Sequence, residues 1–339
     1  MAPGASAVAA ALGLGEEHRA WLAELEAVPP GASPRLPGTD ELARLAGPLD
    51  LERVDRDALA ATRPEGDEAL MWLLERCHGL LVSELGTLRP LVRWPALPAA
   101  LGARGRYFYA WVFLAAVPAI RSWHAARGVS DDVSWATLAD LGEQLRIHRW
   151  MFATGGLHTQ FWLTIHFRGI LFRLGRLQFN RSRILPGTFM GPLFWYDDAA
   201  LARLGAGFQP GDHTLGVHIP AGAPLDAAAC DESLRAARSF FDTRFPDERA
   251  RIAICTSWLL DDQLAEHLGA GSNIVRFQRR FEIVPGALDT DGDIVRFVFG
   301  RTPVPDLDTL PRRTTLERAI VAHLRSGGHW RTRTGWVEL

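Results

Sequence analysis

Polar side chains suited to proton transfer stand at the ends of two apolar segments in the second half of the sequence. The first segment, TLGVHIPAGAPL (214–225), places His218 near the end of a predicted strand. The second, IAICTSWLL (252–260), carries Ser257 and Trp258 near its end. If these strands are neighbours, His218 can lie near Ser257 or Trp258 at their carboxyl ends, where α/β sheets usually bind ligands. An imidazole with an unperturbed pKa near neutrality can act there as a general base, or it can simply cap the strand.

The residues that follow His218 predict a turn and then a helix. The glycine and prolines of IPAGAPL end the strand, and a helical pattern begins at Asp226 or shortly after it. Free backbone amides and the dipole at such a helix start can bind a phosphate, with Arg235 and Arg238 further along the same helix. The same residue types also describe an ordinary turn, so both interpretations stay open.

Other catalytic chemistries have little support in the sequence. The chain contains no lysine, which excludes a Schiff base, and no GxSxG motif, which argues against an α/β-hydrolase. Cys255 with His218 as its base is an alternative nucleophile, but a cysteine in so apolar a strand is more typical of a buried hydrophobe. The histidines at positions 148, 158 and 166 lack the spacing and the carboxylate of a zinc site, so we expect no metal.

The overall composition restricts the class of protein and its partners. A chain of 339 residues with 47% hydrophobic and 22% charged residues can form two globular domains. A formal net charge of -2 gives no overall positive potential that would attract nucleic acid or an anionic membrane, so neither partner is expected. Three widely spaced cysteines favour a reducing cytoplasm, and the first residues lack the basic region of a signal peptide.

The first half of the chain has the apolar periodicity of helices. Apolar residues recur at helical spacing as far as about residue 175, and a loop rich in proline and glycine is expected at 30–38. The uncharged stretch 107–120 is too short for a membrane span and predicts a buried helix. Helices are predicted at 16–25, 39–45, 67–85, 107–125 and 135–150, the last capped by Ser134. We therefore expect an all-helical N-terminal domain over residues 1–174.

The second half alternates strands and helices, which predicts a mixed α/β (α+β) sheet domain over residues 175–339. Predicted strands are 175–179, 213–219, 251–260, 274–284 and 293–299, and predicted helices are 226–243, 261–268 and 314–324. The final two strands are expected to pair antiparallel across the turn 285–293. In the long strand, Arg276 and Gln278 share a polar face that either faces water or lines a site for a charged acceptor.

Several segments of the last 120 residues or so resemble a known family. The runs HIPAGAPL, SLRAARSFF, CTSWLLDDQLAEHL, GSNIVRFQRRFEIV and SGGHWRTRTGW are similar to bacterial acyltransferases that carry a helical N-terminal domain and a GNAT-like C-terminal domain. The resemblance implies a GNAT fold, in which an acyl group passes from a pantetheine thioester, usually an acyl-CoA such as acetyl-CoA, to an amine. The enzyme would use this thioester as a cosubstrate and hold no tightly bound cofactor.

The resemblance also implies where the donor lies. Its pantetheine would lie between the strands 213–219 and 251–260, and its pyrophosphate on the loop after the first strand. The positions that match are Val217, Ile219, Ala221, Gly222, Ala223, Arg235 and Asn273. The superfamily loop usually resembles Q/R-x-x-G-x-G/A, whereas IPAGAPL has a single glycine, so a thioester on an acyl carrier protein remains an alternative donor.

By the same resemblance, the amine attacks the thioester directly. His218 is the implied base, with Asp261, Asp262 and Glu232 as alternatives, and Ser257 either protonates the leaving thiolate or holds the oxyanion. Trp258, Arg276 and Gln278 would contact the acceptor, a small-molecule or peptide amine. The competing hypotheses are a non-catalytic GNAT-like module that binds a pantetheine arm and, more distantly, a hydrolase.

Overall fold

The computed structural model describes residues 4–29, 31, 33–184 and 209–339, apart from the side chain of Leu288. Positions 30 and 32 of the predicted loop 30–38, and the first three residues, lie outside this part of the chain. The chain divides into two compact units, Met1–Phe172 and Arg173–Leu339. The domain boundary that the sequence predicts after residue 174 stays a prediction.

The first unit is helical where it is described, as predicted. Its helices are α1 (Ala5–Leu12), α2 (Arg19–Glu26), α3 (Thr39–Ala46), α4 (Arg53–Ala61), α5 (Glu68–Ser83), α6 (Gly102–Ala126), α7 (Asp131–Leu138), α8 (Asp140–Phe152) and α9 (Gln160–Phe167). The stretch 107–117 of α6 is buried on every side, which explains why it is uncharged. None of the described helices has the length and apolar character that a membrane span requires.

One predicted helix is divided in the structure. The segment 135–150 belongs to α7 and α8, which meet at Ala139. The cap predicted at Ser134 is wrong, because Ser134 is buried within α7 and its Oγ lies 2.7 Å from His124 Nδ1. Ser130 caps α7 instead, accepting a hydrogen bond from Val133 N at 3.4 Å.

The second unit contains a sheet flanked by helices. The strands are β1 (Leu171–Leu174), within which the two units divide, β2 (Leu177–Arg183), β3 (His213–His218), β4 (Ile252–Ser257), β5 (Glu282–Ile283), β6 (Leu288–Asp289) and β7 (Arg331–Glu338). The helices are α10 (Ala227–Arg244), α11 (Leu264–His267), α12 (Asn273–Gln278), α13 (Asp291–Phe299) and α14 (Thr315–Arg325). The strand order is β1-β2-β3-β4-β7-β5, with β6 paired to the start of β7.

The centre of the sheet is mixed. β2 and β3 are antiparallel, β3 and β4 are parallel, and β4 and β7 are antiparallel. An apolar cluster formed largely by the C-terminal helices, called here the C-terminal apolar cluster, surrounds Trp330, whose side chain is completely buried. The predicted class, a helical N-terminal region followed by a mixed sheet with flanking helices, is therefore confirmed.

Two predicted strands are helices. The segment 274–284 contains α12, capped by Ser272, and only the two-residue strand β5. The segment 293–299 belongs to α13, which has aspartates in its first turn and ends at Gly300 in the left-handed conformation. The antiparallel pair predicted across 285–293 is therefore wrong, and β7, which the sequence did not predict, pairs with both β4 and β5.

Two buried histidines of the first unit make its stability depend on pH. Burial, reinforced by Arg121 near His124 and by Arg106 near His148, lowers the pKa of each imidazole to about 4. The unfolded chain, with a pKa near 6.5, binds protons that the folded chain excludes. Stability is therefore fully present above about pH 6.5, and each histidine removes about 1 kcal/mol per pH unit as the pH falls towards 4.

We expect urea unfolding to show this loss between pH 6.5 and pH 5, above the range in which most carboxylates titrate. The variant His124→Asn removes one of the two groups, so its free energy of unfolding should vary less with pH by about 1 kcal/mol per pH unit. An unchanged slope in this variant would contradict the assignment. The exposed His267 provides a control substitution to asparagine, which should leave the slope as it is in the wild type.

Candidate active site

The ladder between β3 and β4 ends before either strand does. The parallel ladder pairs Leu215, Gly216 and Val217 with Ala253, Ile254 and Cys255. Past these pairs, among the described residues, His218 is in register only with Gln178 of β2, while Thr256 and Ser257 are in register only with β7. The ladder between β3 and β4 therefore ends one residue before the end of β3 and two residues before the end of β4. We call this carboxyl end of the strand pair, at His218, Thr256 and Ser257, the opening.

His218 lies at this opening and is held by a side chain from β2. Its Nε2 is 2.7 Å from the side-chain Oδ1 of Asn180, a residue that is 3% exposed. Asn180 is opposite Gly216 in the ladder, and because glycine has no side chain, the carboxamide can reach diagonally to His218. A carbonyl oxygen only accepts hydrogen bonds, so His218 donates from Nε2 and its neutral form carries the lone pair on Nδ1.

Ser257 ends β4 on the other side of the opening. Its Oγ accepts a hydrogen bond from Leu259 N at 3.1 Å and thereby caps the short 3-10 helix Trp258–Leu260. The hydroxyl keeps its own proton for donation, so capping is compatible with a second partner. The structure thus places His218 and Ser257 at the carboxyl ends of neighbouring strands, as predicted. Because Gly216 pairs with Ile254, strand alternation puts His218 on the face of Thr256 and Ser257 on the opposite face, so their predicted proximity stays a prediction.

Asp261 is placed differently from the prediction. Its carboxylate is completely buried and accepts hydrogen bonds from Arg331 N at 2.7 Å and from the backbone and side chain of Gln263. Burial raises the pKa of Asp261 in spite of these donors. The contacts join the turn after β4 to the start of β7, which favours a structural role over the predicted catalytic one.

The strand face predicted to bind the acceptor through Arg276 and Gln278 is wrong, because these residues lie on α12 and not on a strand. Gln278 donates from Nε2 to the carbonyls of Leu259 and Asp261, at 2.9 and 2.8 Å, and so holds the turn after β4. Arg276 is exposed on the same helix.

Two further predicted site residues flank that turn. Asn273 is the first residue of α12, and Trp258, partly buried, packs against the C-terminal apolar cluster. Their predicted contacts with donor and acceptor stay predictions.

The loop between β3 and α10 is tied to the turn between β1 and β2. Arg176, in this turn, donates from its guanidinium to the carbonyls of Pro220, Ala223 and Pro224, at 2.9, 2.6 and 2.9 Å. Gly222 has φ +89°, a conformation that favours glycine, and positions 221–224 are exposed. Ala221, Gly222 and Ala223, predicted as donor-binding residues, are therefore in a fixed and accessible loop.

The helix after this loop begins as predicted. Asp226 caps α10 by accepting a hydrogen bond from Ala229 N at 3.0 Å. Arg235 is exposed more than two turns further along, so its guanidinium can contribute positive charge on this helix.

The structure supports neither a cysteine nucleophile nor a histidine metal site in the described part of the chain. Cys255 is 1% exposed, and burial raises the pKa of its thiol to about 12, which removes the nucleophilic thiolate at neutral pH. His148 and His158 pair through their Nδ1 atoms at 3.3 Å, and His166 lies 3.3 Å from Asp140. Among the described residues, no group of three histidine, cysteine, aspartate or glutamate side chains could hold a metal ion.

Sequence reasoning missed Asn180 and Arg176. The polar residues that alternate with apolar ones in LQFNRSR could have indicated a polar face on β2. For Arg176 no local feature points to a loop that lies 44 residues further along the chain.

These features define a class of protein. A mixed sheet with two parallel central strands, and with a loop and a helix start after the first of them, is the GNAT arrangement expected from the sequence. The fold is that of a GNAT-type acyltransferase.

Comparison with known proteins agrees with this class. Residues 40–169 match the N-acyltransferase N-terminal domain, and residues 171–337 match the GNAT-like C-terminal domain. A solved acyltransferase in complex with decanoyl-CoA and teicoplanin is 43% identical, with a TM-score of 0.87 over 99% of this chain and 100% of that chain. An acyltransferase with CoA and 10C-teicoplanin, and a tryptophan-to-alanine mutant with octanoyl-CoA, have the same identity, coverage and TM-score. A search of curated proteins finds no match.

The chain therefore belongs to the N-acyltransferase family with a GNAT-like C-terminal domain, and it is an acyltransferase. The family resemblance, the enzyme class and the fold predicted from the sequence are confirmed.

Proposed function

We propose that this enzyme transfers a medium-length acyl chain from an acyl-CoA to an amine of a glycopeptide or a similar small molecule. The observation that carries the proposal is 43% identity over 99% of the chain to an acyltransferase solved with decanoyl-CoA and teicoplanin. The opening between β3 and β4 supports it, because extended backbone edges on both sides can hydrogen-bond a pantetheine arm. The donors seen in the relatives favour octanoyl or decanoyl chains over acetyl.

The donor is proposed to run from this opening to the loop after β3. Val217 and Ile219 supply backbone groups to the pantetheine, and Ala221, Gly222 and Ala223 supply the loop for the diphosphate. Arg235 and Asn273 complete the proposed donor site, Arg235 through its exposed charge on α10. No step in this scheme requires a metal or a tightly bound cofactor.

The proposed reaction is a direct attack. The acceptor nitrogen forms a bond to the thioester carbonyl carbon, and Nδ1 of His218 takes a proton from that nitrogen. The C–S bond then breaks, and the thiolate leaves with a proton to give CoA and an amide. Ser257 is proposed to donate to the thiolate or to the oxyanion, since its hydroxyl proton is not used in capping Leu259. Trp258 is proposed to border the acceptor.

The proposed compartment is the cytoplasm. All three cysteines are free and buried in the described structure, which suits a reducing environment, and acyl-CoA is an intracellular donor. An acyl carrier protein as donor is the second candidate, supported by the single glycine of the loop.

A turnover assay tests the proposal. Purified enzyme is incubated with octanoyl-CoA, decanoyl-CoA or acetyl-CoA and a teicoplanin-type glycopeptide that has a free amine. We expect release of the CoA thiol that requires the amine, and an acylated product by mass spectrometry, with the longer chains preferred. Thiol release without an amine would indicate a hydrolase instead. The absence of turnover with every CoA donor, but turnover with an acyl carrier protein, would transfer the role to the second donor.

Asn180 is proposed as a positioning residue for His218. Asn180→Ala should lower kcat about 10- to 100-fold without changing the KM for the donor, because the imidazole loses the partner that selects its tautomer. Asn180→Asp should move the acid limb of the kcat/KM profile to higher pH, since a carboxylate raises the pKa of a neighbouring histidine. Wild-type kinetics in the alanine variant would contradict this role.

A further inference from the structure

The loop 219–225 after β3 is oriented by one side chain. The guanidinium of Arg176 holds the carbonyls of Pro220, Ala223 and Pro224, so three of the loop's acceptors point towards the same group. A guanidinium is planar and its N–H groups form a rigid fork, so these bonds fix direction as well as distance. A lysine at this position could not reproduce the fork.

This arrangement decides where the amides of the loop point. In a trans peptide the C=O and the following N–H point in opposite directions. The hold on the carbonyls of Pro220 and Pro224 therefore directs the N–H groups of Ala221 and Leu225 away from Arg176. Three acceptors of the loop therefore point towards Arg176, and two donors, the N–H groups of Ala221 and Leu225, point away from it, which is the polarity that an anionic ligand requires.

The turn that carries Arg176 is itself fixed to α10. The Oγ of Ser233 accepts hydrogen bonds from Arg176 N at 2.9 Å and Leu177 N at 3.3 Å, and it donates to Ala229 O at 2.9 Å. Ser233 is 1% exposed. The turn, the loop and the first turns of the helix are thus cross-linked by polar contacts, which are buried or partly buried at Ser233 and mostly exposed between Arg176 and the loop. Arg176 is the link that reaches the loop.

We propose that Arg176 is a positioning residue for the nucleotide part of the donor: its guanidinium orients the loop so that the amides on the opposite side receive the diphosphate of acyl-CoA. This inference rests on the proposed acyl-CoA donor. A loop with a single glycine has only one residue that readily adopts the backbone conformations that glycine permits. The contacts of Arg176 hold the loop in the conformation that further glycines would otherwise make accessible. The thioester end of the donor, at the opening between β3 and β4, is not held by this loop.

The test separates the nucleotide from the rest of the donor. KM and kcat are measured with decanoyl-CoA and with decanoyl-pantetheine, which carries the same thioester without the nucleotide. For Arg176→Lys, we expect the KM for decanoyl-CoA to rise about 10-fold or more, with kcat and the kinetics of decanoyl-pantetheine unchanged. Ser233→Ala should raise the KM for decanoyl-CoA less, because the fork on the loop remains.

Controls define the outcomes that would overturn the inference. Arg249→Ala removes an exposed arginine before the amino end of β4 and should leave both donors unaffected. An equal rise in KM for both donors, or full retention in Arg176→Lys, would show that Arg176 supports the fold or supplies charge only. If the wild type turns over neither donor, the proposed function fails. Calorimetry of CoA binding then decides the inference, which requires weaker binding by Arg176→Lys and falls if the wild type does not bind CoA.

Discussion

Replacing His218 by alanine is expected to lower kcat/KM for amine acylation about 10²- to 10⁴-fold, the usual effect of removing a general base. The imidazole stands at the opening between β3 and β4, and Asn180 holds its Nε2, which leaves Nδ1 as the basic atom. The KM for the donor should change little, because the donor's proposed contacts are with backbone groups and the loop. Initial rates with decanoyl-CoA and a glycopeptide amine measure the effect.

The matched control for this prediction lies on the same strand. His213 is the first residue of β3 and lies at the end of the strand opposite to His218. His213→Ala should therefore keep most of the activity. Calorimetric binding of CoA to His218→Ala would show that the variant is folded. Full turnover by that variant would exclude His218 as the base.

The largest expected loss of stability follows from replacing Asp55 by alanine. Asp55, on α4, is completely buried, and both of its carboxylate oxygens lie 2.6 Å from Arg149 Nη1. Tyr107 donates to Oδ1 at 3.0 Å. Removing the carboxylate leaves the buried phenol of Tyr107 without its partner and the partly buried guanidinium of Arg149 with Glu52 alone, which we expect to cost about 3–5 kcal/mol in the free energy of unfolding.

Chemical unfolding monitored by tryptophan fluorescence measures this cost. Asp57 lies two residues further along α4 with 64% of its side chain exposed, so Asp57→Ala should change the free energy of unfolding by less than about 0.5 kcal/mol. If Asp55→Ala does not fold, Tyr107→Phe provides a milder variant that removes one hydrogen bond and should cost about 1 kcal/mol. Similar stabilities for the two aspartate variants would show that the buried ion pair contributes little.

The sequence by itself determined the elements that have strong local patterns. The alternation of 213–219, the glycine and prolines of the loop, and the helical pattern that begins at Asp226 or shortly after it together predict β3, the loop and α10, and the structure has all three. Each of these patterns acts between residues that are close along the chain, such as the hydrogen bond of Asp226 to Ala229 N. The family resemblance rests in part on these segments, and it predicted the class of enzyme correctly.

Short apolar runs were decided only by the tertiary structure. The segments 274–284 and 293–299 alternate well enough to suggest strands, yet helix caps and packing around Trp330 make the first partly and the second wholly helical. Strand β7 was missed because its polar alternation is weak on its own, and it forms only where β4 and β5 supply hydrogen-bonding partners on both sides. Short segments carry too little local preference to outweigh such long-range pairing.

The candidate site divides in the same way. Sequence patterning placed His218 and Ser257 at one edge of the sheet, because strand ends can be predicted from local residues. Asn180 and Arg176 reach the site from positions 38 and 44 residues before their partners, so only the folded sheet brings them into contact. The sequence therefore determined which residues could perform the chemistry. The tertiary structure decided which side chains hold them in place, since such contacts depend on strand register and not on neighbouring residues.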